Sequence, residues 1–280
     1  MTMLVLAAAA TVVVRDATAV QCGVDSLRAG IIEVPRPGAV AAALSAARNP
    51  IPRAELVARL VAAGMPSLAA TALIRELEAY RVLRRPRRTE SPITVVGHSP
   101  LARLSAALLR EEGWRVRRSA CAEPGDLRQA RGPVLVVDCA AHYGRLTPLL
   151  LQHCPTFLPA LLIDGHGLIG PARISGRGAC PLCHVLYRHE EDPRWFRVLA
   201  QAQAAAGAPP AALHTTAARL SSCAAWLAGG QDQPPGHPGV ELAPGEVLRL
   251  DPHAARDMEH RETIPPHPRC PWCGAGTGQR

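Results

Sequence analysis

The chain has 280 residues, 48% of them hydrophobic but only 3% aromatic, and a formal net charge of +8 at pH 7 carried by arginine. That length and apolar content exclude a disordered chain and leave room for two modest domains with aliphatic cores. Nine cysteines form an odd count with no disulfide framework, which sets aside a small secreted scaffold and points to a reducing, cytoplasmic setting.

Met1 to Val14 is apolar, yet no Lys or Arg precedes the run, and Arg15 and Asp16 follow it directly. It is too short to span a bilayer and lacks the positive start of a signal peptide, so it reads as the edge of a soluble domain with no membrane role. The β-branched run Thr11–Val14 predicts a strand, and Ala19–Cys22 a second. Helical periodicity predicts helices over Ala39–Ala47, Pro52–Ala63 and Ser67–Arg81, the last with Ser67 as N-cap, before a short strand at Val82–Arg84. Strands, three helices and a wing describe a winged-helix-like module over residues 1–88, a layout that serves both DNA and peptide readers. Its last helix carries Arg75, Glu76 and Glu78 on the polar face. Two acids there argue against a nucleic-acid partner, while an exposed strand edge can accept an added peptide strand. The arginine run Arg81 to Arg88 reads as a solvated linker, with a contact to a polyanion or acidic peptide as the alternative.

Residues 89–280 have a different texture. A buried-type strand at Ile93–Gly97, a helix over Leu101–Glu112, a strand at Trp114–Arg117 and another at Pro133–Asp138 open a nucleotide-type α/β sheet. The phosphate fingerprint G-x-G-x-x-G falls on Gly97, Ser99 and Ala102, with Pro100 inside the loop. A side chain then stands where backbone should approach a pyrophosphate, and Pro100 has no amide to donate. Gly97, Ser99 and Asp138 thus mark a degenerate cofactor site, Asp138 being either a ligand position at the strand's carboxyl end or the cap of a helix. The second strand runs into Arg117, Arg118 and Ser119, with no acid for ribose hydroxyls. Leu158–Gly170 predicts two strands around an Asp164-Gly165 turn, with His166 an exposed turn residue. Tyr187, Trp195, Phe196 and Leu199 form an aromatic cluster of core type. A helix over Ala200–Leu227, broken at Gly207 to Pro210, a polar loop at Gln231–Pro238 and a final strand at Glu246–Asp251 complete the reading. No Ser/His/Asp or Cys/His catalytic pairing emerges from spacing, and no catalytic residue is assigned.

Two Cys-x-x-Cys knuckles stand apart: Cys180 with Cys183 (CPLC) and Cys270 with Cys273 (CPWC). Each pair can bite one ion, and together they complete the tetrahedral thiolate shell preferred by Zn²⁺. Four thiolates leave no open position for water, which makes a structural rather than a catalytic site. The alternatives are chance cysteines, or His184 in place of one thiolate. Cys22, Cys121, Cys139, Cys154 and Cys223 are scattered and read as small buried hydrophobes.

Taken with the strand–glycine start at Ile93–Gly97 and the strand ending in Asp138, the block LLIDGHGLIGPARISGRGACPLCHVLYRHEEDPRWFRVLAQ (161–201) and the closing EVLRLDPHAARD…PPHPRCPWC (246–273) resemble the ubiquitin-activating, ThiF-like superfamily. More closely, they resemble its divergent branch in the cyclodehydratases of thiazole- and oxazole-modified peptides. The resemblance implies an α/β fold: an amino-terminal winged-helix-like module clasping the leader of a ribosomal precursor peptide, then a degenerate ThiF-like, Rossmann-type domain with a four-cysteine zinc site. It also implies a YcaO-type partner that performs the ATP-dependent cyclisation, and a homodimer. A ThiF-type adenylating enzyme and a winged-helix DNA-binding regulator are the alternatives.

Overall fold

The computed structural model describes residues 2–86, 92–119, 127–201, 208–230, 235 and 239–273. The end of the arginine run, Cys121, Gly207 and most of the 231–238 loop lie outside them. The chain divides into two units, Met1–Arg88 with Gly230–Val240, and Thr89–Gly229 with Glu241–Arg280.

The first unit opens with β1 (Met3–Leu6), then a three-stranded antiparallel ribbon of β2 (Val12–Val14), β3 (Ala19–Cys22) and β4 (Gly30–Glu33). There follow α1 (Pro37–Ser45), β5 (Ile51–Pro52), α2 (Arg53–Ala62), α3 (Ser67–Ala79) and β6 (Leu83–Arg84). β1 is the middle strand of its own small sheet, ordered β5-β1-β6. Leu4 lies opposite Ile51 and Leu6 opposite Leu83, all four buried. The helices bury one stripe each: Leu56 and Leu60 of α2, and Ala70, Leu73, Ile74 and Leu77 of α3, the spacing of an amphipathic helix. Ser67 does not cap α3. Pro66 occupies the N-cap position and Ser67 is the first helical residue, its side chain making no cap bond; the fixed φ of proline leads the chain into the helix instead. Arg36 donates to the carbonyls of Ala62 and Ala63 at 2.7 and 3.0 Å, a cation placed on the otherwise unpaired end of α2. Glu78 pairs with Arg53 at 3.0 Å, so part of α3's polar face is spoken for.

The second unit is a mixed α/β fold. It runs β7 (Ile93–Val96), α4 (Pro100–Glu111), β8 (Val116–Ser119), β9 (Val134–Val137), α5 (Tyr143–His153), β10 (Phe157–Ile163) and β11 (His166–Ile169). It then continues through α6 (Pro181–Glu191), α7 (Trp195–Gln201), α8 (Pro210–Leu227), β12 (Glu246–Leu250) and β13 (Glu259–Thr263). One seven-stranded sheet has the order β13-β12-β11-β10-β9-β7-β8. β8, β7, β9 and β10 are parallel, and the remaining pairings are antiparallel. The order in which the chain adds strands reverses between β7 and β9, the switch point where such sheets bind ligands. Val134 and Val136 pack with Tyr143, Leu146 and Leu150 of α5, while α8 lies along α4.

The hairpin of β10 and β11 turns at Asp164 (φ 50°) and Gly165 (φ 80°), the paired positive φ of a type I′ turn. Two expectations are corrected. The strand after α4 starts at Val116 rather than Trp114, whose ring is buried ahead of it. Nor is Glu246–Leu250 the final strand, because the polar strand β13 pairs along its whole length.

Candidate metal centre

Glycines bring the two knuckles together. The lead into Cys180 passes Gly178 (φ 105°), where a Cβ would overlap the Ala172 carbonyl and the Gly245 amide. Gly245 (φ 85°) in turn presses against the Ile264 carbonyl, in the lead toward Cys270. Backbone bonds lace these segments: Gly245 N–H to Ala172 O at 2.7 Å, Ala172 N–H to Glu246 O at 2.9 Å and Ile264 N–H to Gly245 O at 3.0 Å. Arg173 adds a bond from its guanidinium to Gly178 O at 2.6 Å. Side chains at these glycines would push the two strands of the lace apart.

The four sulfurs meet beneath this lace. Cys180 is the N-cap of α6 and Cys183 lies in its first turn, so the exposed amides of a helix start favour their thiolates. Sulfur separations are 3.5 Å for Cys180–Cys183 and Cys270–Cys273, 3.6 Å for Cys180–Cys270, 3.3 Å for Cys180–Cys273 and 3.0 Å for Cys183–Cys273. All four atoms lie within 4.8 Å of one another and all four residues are buried. Sulfurs about 2.3 Å from a central ion would stand about 3.8 Å apart at tetrahedral corners, so opening these separations by about 0.2–0.8 Å turns this cluster into a metal shell. The four cysteines can hold a metal ion. Among the thiols themselves, hydrogen bonds from Cys180 and Cys273 pull Cys183 toward thiolate, and donating to Cys183 pushes Cys180 up.

Apolar walls and polar ties surround the cluster. Ala179, Leu151, Leu182, Leu186 and Ile264 pack on it. The knuckles are joined outside it by Arg269 to Glu190 at 2.7 Å and by the buried His267 ring, edge-on to Tyr187 with centroids 4.5 Å apart. His267 Nδ1 accepts from the Arg269 amide at 3.0 Å, and its Nε2 stands 3.1 Å from the Glu190 carboxylate. His184 is not among the four convergent ligands. It points from another face of α6, is 5% exposed, and is held neutral by burial and by Arg188 and Arg249, with its pKa lowered to about 4.

At the switch point, Ser99 caps α4 by accepting from the Ala102 amide at 3.1 Å. Gly97 (φ 133°) lies so close to β9 that a Cβ would overlap the Val137 carbonyl. Asp138 sits in the left-handed region (φ 52°) and accepts from the Leu162 amide at 3.0 Å. It therefore ties β9 to β10 rather than capping a helix. Burial raises its pKa, with Ser99 and the Leu162 amide opposing. His166 is not merely a turn residue, since its Nε2 stands 3.3 Å from Asp251. Phe196 of the supposed aromatic core is 41% exposed.

One set of residues escapes a reading of the sequence. His184, Arg188 and Glu191, at positions i, i+4 and i+7 of α6, line a cavity with Trp195 and Arg249. Their helical spacing is the one available signal, and it marks a face of α6 about a quarter turn from the one that carries the cysteines.

No protein-family model matches the chain, and neither does any curated sequence. Solved structures do. A heterocyclase in complex with substrate and cofactor aligns over 98% of this chain and 40% of its own, at 14% identity and a TM-score of 0.62. The heterocyclase TruD aligns over 98% and 43%, at 15% identity and a TM-score of 0.62. E. coli MccB with ATP aligns over 97% and 100%, at 12% identity and a TM-score of 0.53. The chain thus shares the fold of these heterocyclases and of MccB, which is the ThiF-like fold expected from the sequence. It spans about two fifths of the length of the heterocyclase chains.

Proposed function

We propose that the chain is a zinc-containing, peptide-binding component of a peptide cyclodehydratase, which holds the leader of a ribosomal precursor and presents the rest to a YcaO-type partner. The observation that carries this reading is the open edge of the ribbon in the first unit. Among the described residues β4 pairs with β3 alone. The Val34 amide donates to Thr18 O at 2.8 Å, and antiparallel bonding alternates, so the N–H and C=O of Ile31 and Glu33 point away from β3. Ile31 is 54% exposed and stands in one row with Gln21 and Val13. An extended peptide laid along β4 gains backbone bonds for affinity and side-chain contacts with this row for specificity.

The fold shared with a heterocyclase complexed with its substrate supports the peptide assignment. In this proposal the cyclising activity belongs to the YcaO-type partner, and the chain acts as a homodimer. The shell of four buried thiolates favours Zn²⁺ over harder ions.

Ile31→Pro tests the reading, because proline removes an outward amide while sparing the β3–β4 ladder. The probe is a labelled Cys/Ser/Thr-rich peptide encoded beside this chain, followed by fluorescence anisotropy. Binding is expected to weaken roughly tenfold or more; an unchanged titration refutes strand addition at β4.

A second reading, ThiF-type adenylation, has the full-length alignment with ATP-bound MccB in its favour. Against it stands Ser99, whose hydroxyl already takes one of the amides that a phosphate would need. Pyrophosphate exchange into ATP by the purified chain would decide for adenylation.

A further inference from the structure

Helix α6 has two working faces. Cys183, Tyr187 and Glu190 look to the knuckles, whereas His184, Arg188 and Glu191 border a cavity of about 480 Å³, a volume typical of small-molecule sites. The β10–β11 hairpin, β12 and α7 supply its other walls.

Three of the residues that line this cavity carry polar groups without a protein partner among the described residues. His184 is nine-tenths buried or more, and its Nε2 has no hydrogen bond among the described residues. The same holds for the buried indole nitrogen of Trp195, which can only donate. Arg249 lines the cavity and makes no ion pair among the described residues. A second guanidinium, Arg188, is set in place by Glu191 at 2.9 Å. The acids nearby are otherwise engaged or peripheral. Glu191 serves Arg188, Asp192 accepts from the Arg194 amide at 2.9 Å, and Asp164 is exposed at the hairpin turn.

We propose that this cavity binds a small oxyanion-bearing molecule, its carboxylate or phosphate group held by Arg249 with the Trp195 indole N–H and His184 completing the grip. Guanidinium offers a planar pair of donors matched to such groups. The site is separate from the β4 edge and does not depend on the peptide reading.

The test is calorimetric titration of the full, metal-loaded chain with three probes: inorganic phosphate, N-acetylglycine, and the uncharged N-acetylglycinamide. Saturable binding of at least one anion near or below about 1 mM is expected, and whichever binds identifies the oxyanion as phosphate or carboxylate. Arg249→Gln should weaken it roughly tenfold. Trp195→Phe, which keeps the ring and loses the donor, should weaken it several-fold. Unchanged metal content and circular dichroism in both variants separate these effects from misfolding. The proposal is overturned if neither anion binds, if the amide binds as well as the acid, or if both variants retain full affinity.

Discussion

Removing the metal should cost the second unit most of the stability that ties its last residues to the sheet. The perturbation is Cys180→Ser with Cys183→Ser, or chelation of the wild-type chain. An unfolded chain can still hold an ion through one knuckle, but joining Cys183 to Cys270 closes a loop over the 86 residues between them. Loop-closure entropy for that length is about 4.6 kcal/mol. The folded unit has this closure made already by the glycine lace and by the pairing of β12 with β13, so it binds the ion more tightly by about that amount. Other ties across the knuckles are small by comparison. The Arg269–Glu190 pair is largely exposed, and such pairs contribute about 0–1 kcal/mol. Urea unfolding followed by circular dichroism, with and without chelator, is expected to show a loss of about 4–5 kcal/mol. Elemental analysis should find one zinc per wild-type chain and none in the double variant. A loss below about 1 kcal/mol, or a variant that keeps its metal, refutes the reasoning.

Gly178→Ala should lower zinc occupancy without touching a ligand, since its Cβ would force the Ala172 carbonyl and Gly245 amide apart and the positive φ strains any other residue; metal content equal to wild type after dialysis against a weak chelator would count against the lace. Asp138→Asn should raise the unfolding midpoint at pH 7. Burial raises the Asp138 pKa in the folded state, so its contribution to stability is fullest below the unfolded value, about 3.9, and is lost as pH climbs through the raised one. The variant should flatten the pH dependence of stability above about pH 4, and a midpoint lowered at neutral pH would show that the carboxylate form is the favoured one.

Much of this fold could be read locally. The Asp164-Gly165 turn needs only two residues with positive φ, and the all-buried strands β7 and β9 announce themselves as β-branched runs. What stayed hidden depends on distant partners. β1 is four apolar residues in an alanine-rich stretch, and only pairing with β5 and β6 makes it a strand. β13, Glu259–Thr263, has no apolar alternation at all. It is an edge strand held by its ladder to β12 and by Arg261, which reaches Glu246 at 3.1 Å. Helix α5 carries Pro148 in its interior and no capping side chain, so both usual marks of a helix were missing or reversed, and its burial against Val134 and Val136 decides the matter.

The candidate sites divide along the same line. Cysteine spacing exposes the knuckles because two ligands from one turn must be three residues apart, and that constraint is local. The cavity behind α6 has no such grammar. Arg249 comes from β12, Trp195 from α7 and His184 from α6, and each alone is an ordinary polar residue. They become a site only because the cysteine cluster fixes one face of α6, and the adjoining face, about a quarter turn round, then stands over the end of the β10–β11 hairpin. A metal held by the four cysteines would thus also position His184 and Arg188, and loosening it should disturb the cavity before it disturbs the sheet. Oxyanion affinity measured across a chelator titration is therefore expected to fall while the circular dichroism of the sheet is still intact, and simultaneous loss of the two would show that the cavity depends on the whole fold rather than on α6.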